Sequence, residues 1–264
     1  MTSFYGFNFE YNGVSSATFD LKIVTFSDGS LFSGKGSSDV NVLSQRVLRK
    51  SKPFYLGRTQ EPVLEFPLTF GTARPISALD RDAISAWLFG RASYKRLYIL
   101  QDDLNGAYFN CMLKEPEPQY VGGLNYAFTC LVSCDSPFAY GPEKIISGSG
   151  TAGATSTLEI YNSSSEDEYL YPTVHFLLSG TSYYMINYSD SERLTSFEDI
   201  PYNPVEITLD NDLQMITSDR TGLLTYFNNN WFRLVPKYNL VTIYSPGTLD
   251  LFEIKYTERF KIGG

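Results

Sequence analysis

The chain has 264 residues, 16% of them aromatic, and a formal net charge of −8. That length makes one large or two ordinary domains with an ample core, and no apolar run approaches the ~20 residues that cross a bilayer as a helix. Residues 1–140 hold 13 Lys+Arg and 13 Asp+Glu while residues 141–264 hold 8 and 16, so the acidic second half is a poor match for nucleic acid or an anionic membrane.

The start, Met1-Thr2-Ser3-Phe4-Tyr5, has no basic segment leading into an apolar core, so synthesis in a cytosol without Sec export is expected. Residues 4–32 read as two or three strands, with turns at Asn12-Gly13 and Asp28-Gly29. Residues 31–38 are rich in Gly and Ser. The window 40–60 contains Arg46, Arg49, Lys50, Lys52 and Arg58 and no acid. It is either a solvated basic hairpin or an arm reaching an acidic surface on another subunit. A nucleic-acid patch fits less well, because the first half is neutral overall.

Residues 64–70 alternate: Leu64, Phe66, Leu68 and Phe70 on one side, Glu65, Pro67 and Thr69 on the other. Pro67 has no N–H, so the strand is an edge or meets no neighbour on its N–H side. Ser77 is a good N-cap, and Leu79, Ala83 and Trp87, with Ile84 and Leu88 beside them, predict an apolar helix face over residues 77–89. Gly90 is placed to stop that helix. A hairpin follows, residues 95–100 and 107–114, with Asn105-Gly106 as its tight turn. Gly122-Gly123 precedes another strand at 125–133. Cys111, Cys130 and Cys134 read as reduced core thiols. Along one strand Cys130 and Cys134 would lie ~13 Å apart at ~3.3 Å per residue, beyond the ~7 Å that a disulfide tolerates.

Residues 145–156 read as a flexible connection or a short strand with Gly bends. Beyond them, short strands are predicted at 171–178, 182–188, 205–209, 214–217, 231–234, 240–243 and 249–260, with a turn at 210–212. Such spacing predicts a sandwich or barrel. The fold class is mainly β: a β-sandwich-like N-terminal domain with one α-helix over residues 1–141, then a β-sandwich over residues 142–264.

Chemistry is sparse. The one histidine, His175, sits mid-strand between Val174 and Phe176 and reads as structural. No nucleophile elbow or phosphate-binding Gly loop is present. Three Cys and one His do not make a closed zinc set. Asp210, Asp212 and the run Glu166-Asp167-Glu168 lack calcium-loop grammar, and nothing singles out a carboxylate pair for glycoside hydrolysis. No catalytic residue, metal or cofactor is assigned. The aromatic content leaves Tyr183, Tyr184, Tyr226 and Trp231 as a candidate sugar or partner surface, against the plainer reading that they are sandwich core and rim.

Several motifs, in order, resemble the distal tail proteins (Dit) of long-tailed siphophages. They are Phe7-Asn8-Phe9 with Asn12-Gly13-Val14, then 19–24; the strand 64–70; Trp87-Leu88 with Tyr94-Lys95-Arg96-Leu97 and Asp102-Asp103; and Cys134-Asp135-Ser136-Pro137-Phe138-Ala139-Tyr140. In the second half, Tyr171-Pro172, Ile207-Thr208-Leu209-Asp210 and Phe232-Arg233-Leu234-Val235-Pro236 continue the likeness. The family's "P-G-x-N" turn stands here as Pro236-Lys237-Tyr238-Asn239, without its Gly. The resemblance implies a structural virion protein made in the host cytoplasm. It implies a homo-hexameric ring at the end of the tail tube, with tube protein on one face and a tail-tip hub protein on the other. It further implies a galectin-like C-terminal domain that docks receptor-binding or other tail proteins, DNA passing through the lumen without specific binding, and no membrane insertion. On this reading the basic window 40–60 is the inter-subunit arm. Two other readings are a carbohydrate-binding protein that uses the second domain, and a hydrolase with a carboxylate-lined cleft.

Overall fold

The computed structural model describes residues 6–24, 40–46, 51–60, 63–104, 106–165 and 168–261. Asp28-Gly29, Arg49, Lys50, Asn105, Glu166 and Asp167 lie outside the described residues. The chain forms two compact units, one through Gly141 and one from Pro142 to Arg259, with Phe260 and Lys261 belonging to the first.

The first unit is antiparallel β structure with one helix. Its elements are β1 (Phe9–Tyr11), β2 (Val14–Ser15), β3 (Lys22–Val24), β4 (Val40–Gln45), β5 (Phe54–Gln60), β6 (Glu65–Gly71), α1 (Ala78–Leu88), β7 (Lys95–Ile99), β8 (Tyr108–Val121) and β9 (Leu124–Cys134). The pairing runs β2-β1-β7-β8-β9-β6-β3. Phe7, just before β1, exchanges both backbone hydrogen bonds with Ile23 of β3, at 3.0 and 2.8 Å. The circuit therefore closes on itself and leaves few open edges. Inside it lie Phe9, Tyr11, Phe66, Leu68, Phe70, Leu97, Phe109 and Val132.

Pro67 sits where its missing donor costs nothing. Cys134 of β9 donates to the carbonyl of Leu64 at 2.9 Å, so the N–H groups of residues 66, 68 and 70 address β9 and position 67 points away. On that far side the described rungs to β3 cover only Thr69, Phe70 and Gly71. The strand is thus paired on both sides at one end, with Pro67 beyond the last described rung.

Helix α1 begins where Ser77 Oγ accepts the Asp80 N–H, one of the donors a helix start leaves open. Its buried residues are Ile84, Trp87 and Leu88. Leu79 is 84% exposed and Ala83 is exposed too, so the apolar face is narrower than the four-residue spacing suggests. Gly90 fits closely behind it: a Cβ there would lie 2.8 Å from the Ala86 carbonyl.

Turn assignments shift as well. Asn12-Gly13 makes the predicted two-residue turn, with φ of 53° and 75° between Tyr11 and Val14. The β7–β8 connection is longer than Asn-Gly implies and contains a 3-10 turn, Asp102–Leu104. The other tight hairpin turn is Gly122-Gly123, φ 59° and 81°, joining Val121 to Leu124.

β10 (Ala139–Gly150) carries the chain from the first unit into the second. Of the two readings of residues 145–156, the strand with Gly bends holds for most of the run. Its Gly148 is required by close packing, since a Cβ would fall 2.6 Å from the Phe252 ring. The second unit adds β11 (Thr155–Asn162), β12 (Thr173–Ser179), β13 (Tyr183–Asn187), β14 (Arg193–Phe197), β15 (Val205–Asp210), β16 (Met215–Ser218), β17 (Lys237–Tyr244) and β18 (Thr248–Phe260). They form two layers, β16-β15-β12-β18-β10 and β11-β17-β13-β14. Alternate residues of both layers meet in the core, where Phe176 stacks on Tyr183 with ring centroids 4.0 Å apart. The sequence reading missed β14. It also placed a strand at 231–234, where Leu234 makes only an isolated bridge to Leu170.

Candidate functional site

His175 Nε2 lies 2.9 Å from Glu206 Oε1 and its Nδ1 lies 3.9 Å from Glu253 Oε2. The carboxylates flank opposite ring nitrogens, so they do not converge on a shared point. Lys255 Nζ takes Glu253 at 2.8 Å and holds that carboxyl below its ordinary range through this hydrogen bond. Among the described residues, no group of three or more His, Cys, Asp or Glu is disposed to hold a metal. No described helix is long and apolar enough to cross a membrane.

The three cysteines are free and buried. Cys111 and Cys134 are direct partners across β8 and β9. Asp135 N donates to Asn110 O at 2.9 Å, so the neighbouring Cys111–Cys134 pair is a non-hydrogen-bonded one. Burial pushes the Cys130 and Cys134 thiols up to about 12 and Cys111 in the same direction. Thiolate chemistry needs the opposite shift.

The candidate aromatic surface comes apart. Tyr183 is fully buried between the layers and cannot meet a sugar or a partner; on an alternating strand its neighbour Tyr184 takes the outer face instead. Tyr226 and Trp231 are half-buried and pack on the second core. Trp231 meets Phe227 edge-on at 4.8 Å and lines a shallow depression with Ile216, Arg220 and Leu224. The four residues do not share one surface.

The prominent exposed feature is the hairpin β4–β5. Among the described residues its strands pair only with each other, from Val40↔Gln60 to Gln45↔Phe54. It displays Val42, Leu43, Tyr55 at 66% and Leu56 at 64% exposure. A hairpin alone is marginal in water, and this one holds its apolar side chains outside either core. Arg46 and Lys52 are exposed at its turn end, and Arg58 lies in β5. Basic and apolar residues alike are exposed on the described part of the window. The signal was there in Phe54-Tyr55-Leu56, which no core position claims. A second exposed apolar cluster, Tyr120, Val121 and Leu124, sits at the tip of the β8–β9 hairpin.

A closed β unit and a β-sandwich, with exposed apolar residues on a hairpin outside both cores, leave surface of the kind that marks protein contacts. The chain belongs to a phage tail protein family: residues 4–136 match the phage tail protein N-terminal domain and residues 138–253 the phage tail C-terminal domain. Among solved structures it resembles the SPP1 Dit (gp 19.1) protein, described as a paradigm of the hub adsorption apparatus in phages infecting Gram-positive bacteria. The TM-score is 0.68 at 13% identity, over 97% of this chain and 100% of that one. It also matches a chain of the phage p2 baseplate in its activated conformation, at a TM-score of 0.48 and 11% identity, over 96% of this chain and 97% of that one. No curated protein sequence matches. The mainly β fold expected from the resemblance is the fold found.

Proposed function

We propose that this phage tail protein forms a homo-hexameric ring at the distal end of the tail tube. The ring joins tube protein on one face to a tail-tip hub protein on the other, and DNA passes through its lumen. The second unit, residues 142–264 on this reading, faces outward and docks receptor-binding or other tail proteins. The role is structural, not enzymatic, and belongs to the virion after synthesis in the host cytoplasm. The observation that carries it is the β4–β5 hairpin: a strand pair with exposed apolar side chains that no described strand covers. A ring contact is heterologous, so an arm on one copy must find a different patch on the next. The basic residues Arg46, Arg49, Lys50, Lys52 and Arg58 give that arm the charge to find an acidic patch.

The test is the mass in solution by light scattering on a sizing column, with negative-stain images of the peak and of chain mixed with tube protein. Six-fold rings with an open centre are expected. Failure to form rings under both conditions overturns the proposal.

A further inference from the structure

We propose that Cys111 and Cys134 are a redox site: a low-molecular-weight disulfide oxidises the pair to a cross-strand disulfide at the base of the β8–β9 hairpin, and Cys130 stays a thiol. The two residues are direct partners, and the ladder runs on regularly through Met112↔Ser133, Leu113↔Val132 and Lys114↔Leu131. They form a non-hydrogen-bonded pair, because the adjacent Asp135 N–H bonds to the Asn110 carbonyl. Partners of that kind stand ~4.5 Å apart at Cα, with both side chains on one face of the sheet and closer than at the alternate positions. A disulfide takes Cα atoms ~4.4–6.8 Å apart, so the sheet already supplies the spacing.

Three thiols allow three pairings, and the register permits one. Cys130 precedes Cys134 by four residues on β9, ~13 Å at ~3.3 Å per residue. Since Cys111 faces Cys134, Cys130 is offset from Cys111 by the same four residues. Both distances exceed the ~7 Å limit.

The hairpin beyond this pair is weakly held, which gives a covalent clip something to do. Its register shifts twice, between Lys114 and Glu117 and between Gln119 and Tyr120. The printed rungs of β7 and β10 on β8 reach only residues 108–111. Among the described residues, 112–121 therefore pair on one side only, with β9, and residues 114–118 are exposed. Pairing that is one-sided and interrupted is where a sheet opens at least cost. Peeling of this segment leads back to Cys111 and Cys134, both fully covered in the closed fold. Burial pushes the Cys134 thiol up to about 12, so the closed fold resists oxidation and local opening admits the oxidant. Once formed, the bond closes a loop around the whole distal hairpin and pins its register.

The chemistry is thiol–disulfide exchange. One cysteine, as thiolate, attacks the small disulfide RSSR, which gives a mixed disulfide and releases one RSH. The second cysteine attacks the protein sulfur of that mixed disulfide, forms the Cys111–Cys134 bond and expels the second RSH. The two protein thiols lose two electrons and two protons, and RSSR takes them up.

The experiment holds the full chain with glutathione disulfide at mildly alkaline pH, in urea below the unfolding transition. The products are trapped by alkylation and mapped by protease digestion and mass spectrometry. A peptide pair joined through Cys111 and Cys134 is expected, with Cys130 alkylated only after denaturation. The oxidised chain should melt at least about 5 °C above the reduced one, and a dithiol reductant should reverse the gain. Cys130→Ala should form the same bond, and Cys134→Ser should form no cross-link. If Cys134→Ser does not fold, the map of the unsubstituted chain decides. The proposal is overturned by the absence of a linked pair, both under these conditions and in chain refolded from urea in a glutathione redox buffer. Linkage through Cys130, or an oxidised chain that melts below the reduced one, overturns it equally.

Discussion

The indole Nε1 of Trp87 donates a hydrogen bond to the backbone carbonyl of Tyr11 at 2.9 Å, fastening α1 across β1. The same ring stacks with Phe9 and Phe19 at 5.7 and 5.3 Å. Trp87→Ala should cost about 3–5 kcal/mol as a core truncation. Trp87→Phe keeps much of the stacking but removes this hydrogen bond, for about 0.5–1.5 kcal/mol. Denaturant unfolding of both variants checks the order, and unchanged stability in Trp87→Phe would mean that the hydrogen bond contributes nothing.

The hairpin is predicted to be separable from folding. Tyr55 and Leu56 belong to neither core, so Tyr55→Ser/Leu56→Ser should leave thermal stability within about 0.5 kcal/mol, as for surface substitutions generally. Rings should be lost in light scattering. The charge reversal Arg46→Glu/Arg49→Glu/Lys50→Glu tests the basic contribution separately, and intact rings in that variant would assign the contact to the apolar residues alone.

In the second unit, Arg233 forms a forked pair with the buried Asp190, Nε to Oδ2 at 2.7 Å and Nη2 to Oδ1 at 3.0 Å, while its guanidinium lies 3.8 Å over the Tyr169 ring. A lysine keeps the charge but offers neither fork nor stacking plane. Arg233→Lys is expected to destabilise by about 1–2 kcal/mol, in the range of a charge-assisted hydrogen bond. Calorimetry of the variant reads this directly.

Lys237 adopts φ of +70°, a left-handed conformation that favours glycine. Next to it the Asn239 side chain locks the turn, accepting the Val235 N–H at 2.8 Å and donating to the Val235 carbonyl at 2.9 Å. Lys237→Gly should stabilise the protein by up to about 1 kcal/mol by relieving strain of that order, seen as a raised Tm. Asn239→Ala should do the reverse, because its amide bonds are buried.

Alkaline pH should weaken the fold. Cys130 and Cys134 ionise near 9.0 when exposed and only at about 12 when folded. A raised folded value means that their contribution is complete below pH 9 and declines as pH climbs toward 12. Buried Cys111, Tyr11 and Tyr183 shift the same way. Denaturation midpoints measured from pH 8 to 11 should therefore fall, with a shallower fall in Cys130→Ala. At neutral pH a thiol reagent should find no reactive cysteine until the chain unfolds.

The local grammar was legible. Ser77 as a cap, Asn12-Gly13 as a turn and the alternation of residues 64–70 depend on neighbours a few residues away, and the strands followed. Leu79 was misread because four-residue spacing names a helix stripe but not its width, which is set by how much of the helix the sheet covers. The Gly-rich run 145–156 left a flexible connection and a strand both open, because Gly lowers strand propensity. The Phe252 ring, about a hundred positions along the chain, explains why residue 148 of that strand is Gly.

What the sequence determined by itself was class and character: mainly β, with one α-helix among the described residues, and an acidic second half, since composition and short-range pattern carry those. Only the tertiary structure decided which of two adjacent tyrosines, Tyr183 or Tyr184, meets water, because that depends on which face of β13 the opposing layer covers. It also decided that the sheet closes at Phe7 and Ile23 and that the apolar residues of the β4–β5 hairpin stay outside both cores. Closure and exposure are properties of partners distant in sequence, and no window of neighbouring residues contains them.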